Sequence, residues 1–404
     1  MSGHTAFVVA ARRSPIGKLG GTLRRLRVES LAAPVLRAVL GDAGLAAGDV
    51  DEVILGNVWG PGGNPARLAA LTAGIDAAVP GLTVDRQCAS GLEAINLAAR
   101  LVQAGAAEVC LAGGVESAST APWRIDRPDT VYQTPRFTGR GRFAPDGLGD
   151  PEMGPAADAL AHAHGVSRER QDAFALASHR KAIAAIDSGR FDGEIAALPA
   201  SNRAAALPAP VSGWDGAIER DQSPRARLTL PTLARFPPAF SPDGTVTAGN
   251  ASAHNDGAAV VAVVSDAVRR RIGGAALRIV DGVAAGVDPA LPGIGPVAAT
   301  RTLLRRNPQV ELDDLALVEI TEAFAGQALA CLDALGIGEE RVNVGGGAIA
   351  LGHPWGASGA VLVCRLFTEM VRTLRRAAPP WCGLATVAGA GGVGVATLFE
   401  RVET

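Results

Sequence analysis

Short apolar runs bounded by glycine recur along the chain, at VDEVILGNV near residue 50, GLTVD near 81, EVCLAGG near 108, LALVEI near 315 and GLATVA near 383. Each is followed or preceded by a stretch whose apolar residues return every three or four positions, the alternation of strand with helix. Such alternation predicts mixed α/β layers with largely buried strands. After Cys88, the segment SGLEAINLAARLVQAG puts Leu92, Ile95 and Leu101 on one helical face.

The two ends of the chain echo each other. Cys88-Ala89-Ser90-Gly91 is matched by Gly356-Ala357-Ser358-Gly359, and Gly113-Gly114-Val115 by Gly391-Gly392-Val393. A duplicated α/β half accounts for this. Residues 123–249, between the halves, are rich in Pro and Arg and poor in strand signal. They contain one clear helix, opened by Ser167 as N-cap and closed by Gly189, with Phe174, Leu176, Ile183 and Ile186 apolar; the remainder reads as loops. A long irregular excursion of this kind reads as a lid or binding segment, with a plain linker as the alternative.

Composition narrows the class. A chain of 404 residues, 48% hydrophobic, is long enough for two or three structural units. A net charge of −2 lacks the basic excess that holds nucleic acid or an anionic membrane. The apolar run Ala6–Ala11 is too short for a signal peptide, and no stretch reaches the length of a membrane helix. Cys88, Cys110, Cys331, Cys364 and Cys382 form no C-x-x-C pair, which argues against zinc, a redox dithiol or a disulfide framework and favours a reducing cytoplasm. Lysine occurs only at Lys18 and Lys181 while arginine is abundant, a bias of GC-rich bacterial genomes.

Cys88 follows a predicted strand and precedes a predicted helix, where unpaired N–H groups and the helix dipole favour thiolate over thiol. Taken alone it reads rather as an inert buried cysteine, free cysteine being among the most buried residue types. His353, on the glycine-rich stretch Gly345-Gly346-Gly347-Ala348-Ile349-Ala350-Leu351-Gly352-His353-Pro354-Trp355, stands at the mirror position before the second half's helix. A Cys–His pair at two such helix starts suits nucleophilic acyl transfer. Gly389-Ala390-Gly391-Gly392-Val393-Gly394 satisfies G-x-G-x-x-G, but only ten residues follow it, too few for a dinucleotide fold. Its N–H groups suit an oxyanion hole instead.

VDRQCASGLEAI, GGVESAS, DGTVTAGNASAHNDGAAV and GGAIALGHPWGASGA, in this order, resemble the motifs of the thiolase family over nearly the whole chain. The resemblance implies duplicated α/β halves in a five-layered α-β-α-β-α core: one half from residues 1–122 and 250–275, an inserted coenzyme A-binding loop domain at 123–249, and a second half at 276–404. It implies that Cys88 is acylated, that His353 activates it, and that backbone N–H groups of Cys88 and Ala390 hold the acyl oxygen. Arg225, Ser252 and Phe324 fall at coenzyme A-contacting positions. The substrate would be acyl-CoA or an acyl-carrier protein with a small-molecule acceptor. No permanently bound cofactor and no metal are implied, nor a nucleic acid or membrane partner, and the assembly would be a homodimer or homotetramer.

Three departures from the family pattern matter. The second cysteine, which moves a proton at the substrate α-carbon, is replaced by Ala388, and Cys382, six residues upstream, cannot reach the same point. The family's N-E-A-F appears as Thr321-Glu322-Ala323-Phe324, a hydroxyl in place of the amide that holds a water in the thioester oxyanion hole, where Thr321 would orient the water with different geometry and one fewer donor. His254 stands where a small or apolar residue is usual, and reads either as a surface histidine or as a new base; Glu152 replaces a histidine with a surface role expected. The expectation is an acyltransferase passing its acyl group to a decarboxylating carbon nucleophile, an amine or an alcohol. The alternatives are an acetyl-CoA acetyltransferase or β-ketoacyl-CoA thiolase with its acid/base role displaced, and a catalytically silent binding subunit.

Overall fold

The computed structural model describes residues 4–145, 147–198, 217–373 and 382–403. Residue 146 and residues 199–216, inside the predicted loop segment, therefore lie outside the description.

Ten strands join in one sheet built from two similar halves. In the first, Ala6–Arg13, Asn255–Ser265 and Val109–Ser117 pair antiparallel in succession, and Glu52–Gly56 lies parallel to Val109–Ser117 and to Gly81–Val84. In the second, Ala276–Gly286, Val393–Val402 and Cys382–Gly389 pair antiparallel in succession, and Leu315–Ile320 lies parallel to Cys382–Gly389. The same sequence of pairings thus appears twice. The halves join through Phe7 opposite Arg278 and Val8 opposite Leu277. All five apolar runs expected as strands are strands.

Because side chains alternate across a strand, each strand feeds two cores. In Asn255–Ser265, Ala258, Val260, Ala262 and Val264 face an outer core beneath the helices Val28–Ala43 and Pro65–Ala73. Ala259, Val261 and Val263 face a central core. That central layer holds the helices Ser90–Gln103 and Trp355–Phe367, packed against each other and against both halves of the sheet. A third core lies on the far side of the second half, beneath Gly295–Arg306 and Ala325–Leu335. Helix, sheet, helix, sheet, helix is the five-layered order the family resemblance implies.

The helix predicted after Ser167 is present as Arg168–Asp187, with the Ser167 hydroxyl accepting from Arg170 N. A second helix, Met153–Ala163, lies where loops were expected. Gly154 and Pro155 fall in its first turn, where a missing N–H forfeits no intrahelical bond. Both helices bury apolar residues, Leu160, Ala161, Phe174 and Ala175, in the third core. This part of the excursion belongs to the packed body.

A buried ionic cluster ties the excursion to both halves. Fully buried Arg13 donates to Glu194 and to both carboxylate oxygens of Asp221, at 2.7 and 2.8 Å, while Arg365 donates to Glu194 and Glu369. The guanidiniums of Arg13 and Arg365 lie 5.1 and 4.5 Å from the centroid of the Phe191 ring.

Candidate active site

Cys88 is held by a tight turn between the strand Gly81–Val84 and the helix Ser90–Gln103. The Ser90 hydroxyl accepts from Arg86 N at 2.8 Å and donates to Gln87 O, and Asp85 accepts from Gln87 N. Gln87 adopts φ 51°, a left-handed conformation that costs a side-chain-bearing residue about 1–2 kcal/mol. Surrounding bonds hold that strain at the residue before Cys88. Cys88 is partly exposed, whereas the four other cysteines are buried. Burial nonetheless pushes its thiol up to about 12, with the Glu116 and Asp85 carboxylates adding to the rise and its own backbone N–H opposing it. Desolvation therefore opposes the lowering that a helix start provides.

His353 is buried, its backbone N donating to Asn255 Oδ1 at 2.9 Å and its ring Nδ1 lying 2.7 Å from Ser358 Oγ. Burial, with His254 nearby, pushes the imidazole down to about 3. It is therefore neutral and able to accept a proton. Ser90 and Ser358 are the matched serines of the internal repeat: Ser90 fixes the turn that holds Cys88, and Ser358 bonds to the His353 ring. Upstream, Glu322 accepts from Asn343 Nδ2, Ser178 Oγ and Ile349 N, fixing the glycine-rich approach to His353.

The two helix starts meet through backbone. A Cβ at Gly91 would stand 2.7 Å from Gly356 O, and one at Gly114 only 2.0 Å from the same oxygen. Gly91 is three residues after Cys88 and Gly356 three after His353, so this contact brings both residues to one end of the central helix pair. Glu116 closes the arrangement from below: its carboxylate accepts from Val58 N, Trp59 N, Gly356 N and Asn57 Nδ2. Burial pushes Glu116 up to about 7 against those N–H groups.

Ala390 opens the turn between Cys382–Gly389 and Val393–Val402, and a Cβ at Gly389 would stand 3.0 Å from Arg86 O, which sets this turn beside that of Cys88. Ala388, partly exposed, precedes it. Thr321 is buried, and its Oγ1 has no hydrogen-bond partner among the described residues. Ser252 donates through both N and Oγ to Ala323 O, and the neighbouring Ala251 bridges to Phe324, whose ring meets Phe240 edge-on. Exposed Arg225 donates its backbone N to His179 Nδ1, and burial together with the nearby charges of Arg225 and Lys18 pushes His179 down to about 4. His254 pairs in register with His353, and its ring packs 4.7 Å from that of Trp355. Glu152 makes an exposed ion pair with Arg140.

Sequence reasoning missed Ser358, Asn255, Glu116 and Trp355 as neighbours of Cys88, His353 and His254. For Ser358 a signal existed, its match to Ser90 in the repeat; for Asn255 and Glu116, distant in sequence from residue 353, only packing reveals the link. No group of three potential metal ligands occurs among the described residues, and no described helix is long and apolar enough to cross a membrane.

Two family models match, Thiolase, N-terminal domain, over residues 6–267, and Thiolase, C-terminal domain, over residues 275–401. Relatives named "Putative acetyl-CoA C-acetyltransferase VraB" include one from Staphylococcus aureus (strain MRSA252), 42% identical over 401 residues and covering 98% of this chain and 100% of the relative. Another, from Staphylococcus haemolyticus (strain JCSC1435), is 42% identical over 402 residues, 98% of each chain. The crystal structure of the Bacillus anthracis acetyl-CoA acetyltransferase superposes with a TM-score of 0.89 at 38% identity, covering 99% of both chains. With two thiolase models spanning its length and the same fold beneath them, this chain belongs to the thiolase family and is an acyl-transferring enzyme.

Proposed function

We propose that Cys88 takes an acyl group from an acyl-CoA or acyl-carrier protein thioester and passes it to an acceptor that needs no base at position 388. His353, neutral at rest, takes the Cys88 proton, and the N–H groups of Cys88 and Ala390 receive the charge that develops on the thioester oxygen. The acceptor is a carbon nucleophile that decarboxylates, an amine or an alcohol. The observation that carries this reading is Ala388, whose methyl group precedes the turn beside Cys88 and can neither give nor take a proton. Cys382 is buried six residues away along the same strand, roughly 20 Å at the ordinary rise. Lacking a positioned base, abstraction of an α-proton from acetyl-CoA loses about 10²–10⁴-fold.

Arg225 and Lys18, two exposed cations near His179, suit the phosphates of coenzyme A, and Ser252 with Phe324 suits its pantetheine arm. The exposed apolar side chains Trp123, Val131, Tyr132 and Phe137 support a homodimer or homotetramer.

A second reading is favoured by one observation. His254 pairs with His353 and packs against Trp355, which supports its imidazole as the acid/base that an ordinary acetyl-CoA acetyltransferase would need. Two measurements on wild type decide: the mass of Cys88 after mixing with acetyl-CoA, and exchange of acetyl-CoA α-hydrogens in deuterated water. Acylation without exchange, with exchange gained by Ala388→Cys, supports the first reading. Exchange that disappears in His254→Ala while acylation remains supports the second. No acylation at all overturns both.

A further inference from the structure

A cavity of about 20 Å³ lies among Glu319, Thr321, Ser358, Arg365 and the glycines Gly347 and Gly352. That is room for one water. Two of the residues that line it carry a buried polar atom without a hydrogen-bond partner among the described residues, Thr321 at Oγ1 and Arg365 at Nε. These residues are 2% and 1% exposed, so bulk water does not reach them. Orphaned groups of this kind are costly unless an ordered water satisfies them.

The bonding of His353 makes a further demand on the same cavity. To accept the Cys88 proton on Nε2, the ring must carry its resting hydrogen on Nδ1. Nδ1–H then donates to Ser358 Oγ, 2.7 Å away. Used as an acceptor, the serine must place its own O–H elsewhere, and Ser358 lines the cavity. If the serine instead donated to Nδ1, the hydrogen would sit on Nε2 and His353 could not act as a base.

We propose that the cavity holds one ordered water, which accepts from Ser358 Oγ–H and Arg365 Nε–H and donates to Thr321 Oγ1 and the Glu319 carboxyl, and so fixes His353 as its Nδ1–H tautomer. Two donors and two acceptors match the capacity of one water. Thr321 is then a positioning residue acting behind His353 rather than a group in the thioester oxyanion hole. The charges around the site are those of Arg365, with its partners Glu194 and Glu369, and of Glu319, whose carboxyl burial raises well above the ordinary range while Arg365 opposes and Glu369, Glu194 and Glu322 add. The ring itself faces one further titratable group, His254.

The inference rests on the proposed role of His353 as base, and the tautomer can be read separately from activity. The full-length chain carrying ¹⁵N-histidine has six histidines, so His353→Gln assigns the signal. Wild type and Thr321→Ser are expected to show a protonated Nδ1 and a bare Nε2 on His353. Thr321→Val, which replaces the hydroxyl with a methyl, is expected to show a mixture of tautomers and acylation of Cys88 by acetyl-CoA slowed roughly tenfold at unchanged KM, about the worth of one buried hydrogen bond. An Nε2–H signal in wild type overturns the proposal, and this result needs no variant to fold. Thr321→Val with an unmoved signal also overturns it. A moved signal with unchanged acylation supports the water and overturns the assignment of His353 as base.

Discussion

Gly91 lies against the carbonyl oxygen of Gly356, so close that a single methyl at position 91 would stand 2.7 Å from that oxygen. The contact joins the helix that follows Cys88 to the helix that follows His353. Nothing flexible is available to yield, because both partners are backbone in the central layer. Gly91→Ala is therefore expected to lose about 1–3 kcal/mol of stability by overpacking and to slow acylation of Cys88 by moving the two helix starts apart. Denaturant unfolding and the acylation rate with acetyl-CoA measure both. A variant as stable and as fast as wild type would remove this contact from the account of the site.

The neutral pair has a definite pH signature. With His353 pushed down to about 3 and Cys88 up to about 12, neither titrates between pH 5 and 8, so the acylation rate is expected to be flat there. In His353→Ala the thiol must ionise unaided, and the rate is expected to climb about tenfold per pH unit. His353 also bears on stability. The unfolded chain protonates it near 6.5 and the folded chain near 3, so its contribution is present above 6.5 and is lost as pH falls through this window. Acid unfolding of His353→Gln should be correspondingly less steep.

Glu116 receives N–H donors from the loop 57–59 and from the start of the His353 helix. In Glu116→Gln an NH₂ replaces one of the two accepting oxygens and faces donors. A loss of about 1–3 kcal/mol is expected at pH 8. Because the folded state holds Glu116 near 7 against 4.5 unfolded, ionising it costs the native state stability as pH rises from 4.5 to 7. The amide bears no such cost. The difference between variant and wild type should therefore change across that window, which unfolding at pH 5 and pH 8 tests.

Arg13 is the sole cation hydrogen-bonded to Asp221 among the described residues and shares Glu194 with Arg365. Removing it by Arg13→Met leaves a buried carboxylate uncompensated and is expected to cost about 3–5 kcal/mol. Asp221→Leu in the same chain should recover part of the loss. If the single variant melted with wild type, the cluster would be irrelevant to stability.

The alternation of apolar runs and helical periods, read from one end to the other, was enough to place five strands, the helix after Ser167 and the two helix starts at Cys88 and His353. These features are legible because each is written in the local period of the chain. The repeat was legible too, since Ser90 and Ser358 occupy matched positions. Other features depended on what meets what across hundreds of residues. The helix Met153–Ala163, in a stretch read as loops, buries Leu160 and Ala161 in a core that forms only on packing. Cys88 was expected to be acidic from its helix start, yet burial raises it, and burial is a property of neighbours rather than of position along the chain. The bonds of His353 to Asn255 and Ser358, the seat of Glu116 under Gly356, and the cavity beside Thr321 arise only when the two halves pack. Local periodicity decides which elements form, whereas desolvation and long-range contact, which a linear chain does not encode at any one place, decide which proton each group holds.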